Sequence, residues 1–354
     1  MKALVLAGGC GTRLRPFTYT IPKALLPVAN RPILYYVLDS LVRSGLQDIG
    51  VIVSPQTAER VGEALAGYPG RARFTMLRQE RPLGLAHAIM VARDFLGEQP
   101  FVMHLGDNVV SHRIDRIAVE LQEQRADAVL LLKEVEDPQP FGVAVMDDQG
   151  RLVRLVEKPK TFLSSLALVG VYGFSAAIHD AVLHLQPSWR GELEITDAIQ
   201  TLLDQGARVV SSKLDGWWLD CGKKDDVLEA NRRVLEEYLE PALLGSVDQR
   251  SQIQGPVLIG QGARVESAQL VGPCVIGQES VVRASTIGPY ASIGRGCRIV
   301  GSSISRCVIM DGARIEGVQQ LEDSVVGQQA LLQRVEELPQ IIRCMIGDHA
   351  EVRC

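Results

Sequence analysis

No apolar run in this 354-residue chain reaches the ~18 positions that a membrane-spanning helix requires, so no membrane partner is expected. Nor is there a basic excess. The formal charge is −5, which argues against general binding to nucleic acid, whose phosphates demand a positive surface. The seven cysteines are odd in number and scattered, without CxxC or Cys/His spacing. Neither a disulfide framework nor a structural zinc is expected, and the reduced thiols this implies place the protein in the cytoplasm. Met1 leads directly into a strand-like run rather than a charged and then apolar leader, so no signal peptide is expected. What is present is a 46% apolar content, enough for a substantial core, in a length that suits one very large domain or two ordinary ones.

The most informative stretch is Leu4 to Val28, LVLAGGCGTRLRPFTYTIPKALLPV. Met1 to Ala7 reads as a buried strand and breaks on Gly8, Gly9 and Gly11. Glycines at these positions let backbone N–H groups converge on an anion without interference from Cβ atoms. Arg13, Arg15 and Lys23 supply cations close by. A glycine turn with fixed cations is what a polyphosphate needs, although an ordinary strand-to-helix turn with surface charges has the same composition. The stretch is not a P-loop, since no Lys follows the glycines. It is not a dinucleotide fingerprint either, since the third glycine is missing.

The first two-thirds of the chain alternates strands (48–53, 72–77, 101–105, 128–132) with helices (31–45, 57–66, 85–95, 115–124), with Pro32 as a first helical residue. This alternation predicts a mainly parallel twisted sheet covered by helices, with ligands at the carboxyl ends of its strands. Every candidate site loop follows a strand. Gln79 to His87 (QERPLGLAH) offers the Gln79 amide to a pyrimidine edge, while Gly84 permits close backbone approach. His87 reads as structural. Asp107, in His104-Leu105-Gly106-Asp107-Asn108, stands where a Mg²⁺ ligand would stand, although GDN also suits a plain turn. Asp220, in Trp217-Trp218-Leu219-Asp220-Cys221-Gly222, is its candidate partner. Phe141 to Glu157 reads as a hairpin about Asp147-Asp148-Gln149-Gly150, closed by Glu157-Lys158-Pro159. A Glu-Lys pair suits sugar hydroxyls and a phosphate, or merely a solvated strand end. Leu166 to Phe174 is a further strand. Thr196 and Asp197 read as cap and helix-start residues, and Lys224 to Tyr238 as a charged helix.

Gly8-Gly9-Cys10-Gly11-Thr12-Arg13-Leu14 with Pro22-Lys23-Ala24-Leu25-Leu26-Pro27-Val28 resembles the signature of the sugar-1-phosphate nucleotidylyltransferases. The whole chain is similar to the long form of the glucose-1-phosphate thymidylyltransferases. The resemblance implies an α/β fold: a Rossmann-like nucleotidyltransferase domain with a mainly parallel mixed sheet, followed by a C-terminal left-handed parallel β-helix. It implies that Gly8, Gly9, Gly11, Thr12 and Arg13 wrap a nucleoside triphosphate. Arg13 then holds the departing pyrophosphate and Lys23 the charge near the reacting phosphate. Gln79, Gly84 and Leu85 read the base, in a QxxPLGLAHA form like that of thymidylyl-transferring members. Mg²⁺ falls to Asp107 and Asp220, and the sugar phosphate to Asn108, Gly142, Glu157, Lys158 and Leu168. Cys10 occupies a variable loop position, and Cys221 stands where the family usually has Thr, which removes a hydroxyl there. The implied reaction joins dTTP and α-D-glucose 1-phosphate into dTDP-glucose and diphosphate by in-line attack, without a general base. A UTP-dependent or amino-sugar-1-phosphate enzyme shares the same phosphate motifs. A non-catalytic nucleotide-sugar-binding scaffold is the reading from another class.

After Pro241 the composition changes. Gly260, Gly277 and Gly294 close short β-branched runs every 17 residues, and such runs at about six-residue steps mark a left-handed parallel β-helix. The expected organisation is a catalytic domain at 1–240, a linker at 241–252 and a β-helix at 253–354, with the repeat irregular after Glu316. Leu331 to Cys354 is expected either to add a coil or to pack back on the body. Many such β-helices transfer acyl groups and use a base for it, commonly His. This tail has only His349, so a structural or oligomerising role is the stronger expectation, with a homo-oligomer as the result.

Overall fold

In the computed structural model, which describes residues 1–111, 114–334 and 345–353, the N-terminal apolar run forms the strand Lys2–Leu6. By internal contacts the chain divides into two units. One is Met1–Gly9 with Leu34–Trp218; the other is Cys10–Ile33 with Leu219–Cys354. This differs from the expected segmentation at 240 and 252. The segment carrying Arg13 and Lys23 groups with the C-terminal third of the chain, not with the sheet that precedes it.

The first unit is built on a nine-stranded mixed sheet. Lys2–Leu6 lies between Phe101–Leu105 and Asp48–Val53, all parallel, and Arg73–Arg78 continues the parallel edge. Leu166–Phe174 runs antiparallel to Phe101–Leu105 and to Ala128–Glu134. The Gly142–Met146 and Leu152–Glu157 hairpin completes that side. Leu4, Phe101, Met103, Tyr172, Phe174 and Ile199 are among the side chains that fill the core. Fully buried parallel strands need apolar residues at successive positions rather than alternation, which is why DIGVIV and FVMHL are legible as strands. Leu166–Phe174 slips register between Leu168, opposite Leu132, and Tyr172, opposite Leu130. The slip centres on Gly170, where a Cβ would stand 2.9 Å from Asn108 Oδ1. The bulge thus brings bare backbone over a candidate site residue.

In the second unit the structure corrects one expectation directly. Arg31–Pro32 does not open a helix; it pairs antiparallel with Pro27–Val28, and the helix begins at Ile33. Ala29 and Asn30 make the two-residue turn with φ of 48° and 61°, as such hairpins require. An alanine in this left-handed conformation costs roughly 1–2 kcal/mol, so surrounding contacts must hold it.

The C-terminal third is a left-handed parallel β-helix of three parallel sheets. Stacking puts like residues in columns. Ile259, Ile276, Ile293, Ile309, Val326 and Ile346 follow one another in register, and all are buried. At Gly277 a Cβ would lie 2.4 Å from the Gly294 carbonyl carbon on the next coil, which accounts for the glycine repeat. The 241–252 segment, expected as a linker, already carries coil strands: Ala242–Leu243 pairs with Leu258–Ile259 and Ser246–Val247 with Arg264–Val265. At the other end Leu331–Gln333, Met345–Ile346 and Glu351–Arg353 extend the stack, so the tail adds a coil. The remainder of that expectation, 335–344 and Cys354, lies outside the described residues. Among the described residues no helix is long and apolar enough to cross a membrane.

Candidate active site

In the first unit, the predicted base-reading and sugar-phosphate residues gather around the carboxyl ends of the strands. Gln79 follows Arg73–Arg78 and anchors its backbone N–H on the Val53 carbonyl at 2.9 Å. Its Nε2 donates to the Gly84 carbonyl at 3.2 Å and to His87 Nδ1 at 2.9 Å. Burial lowers the His87 pKa, which favours the neutral ring whose Nδ1 can accept. Both amide hydrogens of Gln79 are therefore committed, and its Oε1 is left as an acceptor. Gly84, at φ 102°, precedes the Leu85–Val91 helix. Leu193 N–H donates to the Leu83 carbonyl at 2.7 Å, and Ala86 N–H to the Leu193 carbonyl at 3.1 Å. The two loops are thereby stitched together on either side of Gly84.

His104 is fully buried. Burial pulls its pKa down to about 4, so it is neutral behind the Gly106–Asp107 turn. Asp107 Oδ1 accepts from Asn108 Nδ2 at 2.8 Å, and Asn108 Oδ1 accepts from Trp218 Nε1 at 2.6 Å. The Trp218 ring packs on Phe141, with centroids 4.8 Å apart. This relay fixes both Asn108 and the neighbouring carboxylate. Gly142, Glu157 and Leu168 converge as expected: a Cβ on Gly142 would meet Glu157 Oε2 at 3.1 Å and Leu168 Cδ1 at 3.2 Å. Glu157 lies 3.8 Å from Lys158 Nζ and 3.4 Å from Arg190 Nη1. Its pKa is raised, first by burial and then by Glu194, against the opposing pull of the two cations.

In the second unit, Gly11 (φ 57°) opens a single 3₁₀ turn at Thr12–Leu14, and Thr18 Oγ1 donates to the Gly11 carbonyl at 2.7 Å. Lys23 is only 9% exposed, and its Nζ lies 3.3 Å from Asp220 Oδ1. Arg13 Nη2 lies 3.9 Å from Asp220 Oδ2, on a side chain that is 55% exposed. A Cβ on Gly222 would stand 2.8 Å from that same Arg13 nitrogen, so Gly222 makes room for the guanidinium. Two cations from the N-terminal segment thus meet one carboxylate from a position some two hundred residues later. Cys10 is exposed and Cys221 fully buried.

Residues 2–237 match the model of the nucleotidyl transferase family. The chain belongs to that family. Over 354 residues it is 46% identical to the glucose-1-phosphate thymidylyltransferase of Streptomyces antibioticus, covering 99% of each chain. It is 44% identical to that of Streptomyces griseus, covering 100% of this chain and 99% of the other. UDP-glucose pyrophosphorylase, solved with UDP-glucose, is similar at a TM-score of 0.61 and 24% identity, over 67% of this chain and 98% of that one. That last likeness concerns the fold alone.

Three residues of this nucleotidyl transferase make contacts that the sequence did not reveal. Arg190 reaches Glu157, Glu192 and Glu194 at 3.0–3.4 Å, placing a third cation beside Glu157 and Lys158; the clustered acids of RGELE were the available signal. Thr196 and Asp197 do start a helix, Ile195–Asp204, but Thr196 is not its cap. Glu194 holds the cap position, while Thr196 is buried with its Cγ2 2.8 Å from where a Gly142 Cβ would be. Its hydroxyl has no hydrogen-bond partner among the described residues. The third, Asn231, carried no local signal at all.

Proposed function

We propose that this nucleotidyl transferase joins dTTP and α-D-glucose 1-phosphate, forming dTDP-glucose and diphosphate. The observation that carries the reading is the convergence of Lys23 and Arg13 on Asp220. A buried ammonium and a half-exposed guanidinium around one carboxylate are suited to a site that accumulates phosphate charge. The sugar phosphate oxygen forms the new bond to the α-phosphorus as the bond to the β-phosphate bridging oxygen breaks, and the electron pair leaves with diphosphate. No proton is transferred, because the nucleophile is already ionised. Positioning and charge neutralisation are then the whole task of the protein. In this reading Lys23 neutralises the α-phosphate and Arg13 the departing diphosphate. Gly8, Gly9, Gly11 and Thr12 would offer backbone N–H groups to the triphosphate.

Asp107 and Asp220 would hold Mg²⁺. Hard carboxylate oxygens are the donors that ion prefers. Mg²⁺ characteristically takes one or two carboxylates and completes its shell with phosphate oxygens. When bound it would supply positive charge to those oxygens. Lys158 and Arg190 would hold the sugar phosphate, and Glu157 would accept from sugar hydroxyls.

The free Oε1 of Gln79 supports a thymine or uracil base, whose N3–H is a donor, over cytosine, whose N3 is an acceptor. Gln79→Glu removes both hydrogens that hold the side chain in place, and about tenfold in KM for dTTP is the expected loss, read by steady-state kinetics. Glu157→Gln should separate stability from binding. Because the folded pKa of Glu157 is raised, the folded state holds its proton more tightly than the unfolded chain does. That contribution is fully present below the unfolded value and is lost as pH rises through the folded one. At neutral pH the Gln variant is therefore expected to melt at or above the wild-type temperature, the difference shrinking as pH falls through the folded value. Its KM for glucose 1-phosphate should rise about tenfold or more, since a hydrogen bond to a charged group is lost.

The reading includes a cytoplasmic, self-associating enzyme. The exposed Leu243 and Leu244 at the first coil favour association, and light scattering on the purified protein checks it. The decisive test is pyrophosphate release across dTTP, UTP and other triphosphates with glucose, glucosamine and N-acetylglucosamine 1-phosphates. Fastest turnover with dTTP and glucose 1-phosphate is expected. A preference for UTP or an amino sugar would move the substrate assignment, and binding without turnover would leave only a scaffold.

A further inference from the structure

Lys23 lies in a segment with little secondary structure of its own, three single 3₁₀ turns followed by the Pro27–Pro32 hairpin. Its position must therefore be set from outside. Within the second unit the segment is pinned on both sides of Lys23 by β-helix atoms. Upstream, the Thr20 hydroxyl donates to the Asp348 carboxylate, whose other oxygen accepts from Gln328 N–H at 2.7 Å. Downstream, Asn30 Nδ2 donates to the Ile293 carbonyl at 2.5 Å. Between these pins a cleft of about 190 Å³ remains, lined by Leu25, Pro27, Ile309, Met310 and Asp311 among others. These hydrogen bonds fix the segment alongside its buried Leu26 and Val28.

The third pin is Asn231, 1% exposed, on the Lys224–Tyr238 helix. Its Oδ1 accepts from Ala29 N–H at 2.8 Å and from Ser292 Oγ at 2.6 Å, while its Nδ2 donates to the Tyr290 carbonyl at 2.9 Å. One buried amide thus joins three segments: the strained Ala29–Asn30 turn, the helix that follows Asp220, and a β-helix coil. Aspartate could not donate to Tyr290, and an aliphatic residue could do none of this. The turn lies six residues after Lys23 and the helix opens just after Asp220, so fixing one to the other fixes the 3.3 Å approach of Lys23 to Asp220.

We propose that Asn231 is a positioning residue for Lys23, and that the β-helix serves as the template on which the Lys23 segment is held. This rests on the role assigned to Lys23 above. The experiment uses the full chain and compares Asn231→Leu and Asn30→Ala with Ile304→Ala. Ile304 is a buried core residue of the β-helix that makes none of these bonds. Hydrogen–deuterium exchange over residues 23–33, kcat, KM and melting temperature are measured for each.

Asn231→Leu should exchange faster over 23–33 and lose about tenfold or more in kcat, since small displacements of reacting groups are expensive. Its KM for glucose 1-phosphate should stay within about threefold of wild type, the pattern of a lost transition-state interaction. Ile304→Ala should lower the melting temperature yet keep kcat within about twofold. Unchanged exchange over 23–33 in a folded Asn231→Leu protein overturns the proposal, as does an equal kcat loss in Ile304→Ala. Should Asn231→Leu not fold, Asn30→Ala carries the same two readouts and decides. A wild-type protein inactive with every substrate pair would overturn the role of Lys23 itself, while the exchange result would still decide the positioning.

Discussion

Lys23→Ala is expected to lower kcat on the order of 10²- to 10³-fold, the usual consequence of removing one preorganised charge from a transition state. The expectation depends on burial. At 9% exposure the ammonium is shielded from water, so its field on a phosphate is screened much less than that of a surface lysine. Arg13 cannot stand in for it: that side chain is 55% exposed and approaches Asp220 only to 3.9 Å. The substitution also removes one of the two cations that face the Asp220 carboxylate. Lys23→Arg should restore little, since a planar fork does not fit where a slim ammonium is enclosed. Pyrophosphate release under single turnover, with melting temperature as the check on folding, measures this. Turnover within about threefold of wild type would contradict the placement of Lys23 at the reacting phosphate. A double-mutant cycle with Asp220→Asn would show the two residues acting as a unit, with a combined loss well below the product of the single losses.

How much of this was legible beforehand depends on the range of the interaction concerned. Asp48–Val53, Leu166–Phe174 and Lys224–Tyr238 carry their structure in local pattern, and the elements fall where the pattern placed them. The glycine repeat was legible because each coil forbids a Cβ against the next. Pro32 was misread because a proline after a polar residue suits a helix start and a hairpin strand equally. The difference lies in Ala29 and Asn30, a left-handed turn with no glycine to announce it, held by Asn231 two hundred residues away. The 241–252 segment carries one glycine of the repeat, Gly245, but at fifteen residues before Gly260 rather than seventeen and with polar residues after it, and so resembled a linker, although its two strands already pair with the first regular coil. Arg190 and Thr196 lie close together in RGELEIT, but their partners Glu157 and Gly142 come from a hairpin that sequence spacing alone does not bring near. The charge pairing of Lys23 with Asp220 belongs to the same class of long-range fact: each half was visible, their contact was not.

Gly84→Ala is expected to have the largest effect of any single methyl added to the first unit. At φ 102° an alanine is strained by roughly 1–3 kcal/mol before any contact is considered. The new Cβ would then lie 2.4 Å from the Leu193 carbonyl oxygen and 2.7 Å from the Leu193 nitrogen. Both are backbone atoms, so no rotamer change relieves the clash. They are also the atoms that bond to Ala86 and Leu83, and pushing them away breaks two hydrogen bonds worth about 1 kcal/mol each. The sum, about 3–5 kcal/mol, is at the upper end of single substitutions and should be read as a fall in the urea midpoint with an unchanged slope. The functional consequence follows from where the force goes. On one side Gly84 holds Gln79 through its carbonyl, and on the other Leu193 precedes Glu194, which pairs with Arg190. One methyl should therefore raise KM for the nucleotide and for the sugar phosphate together, by about tenfold each. A loss confined to the nucleotide would mean that the stitched loops move independently, and that base and sugar recognition are not mechanically joined through Leu193.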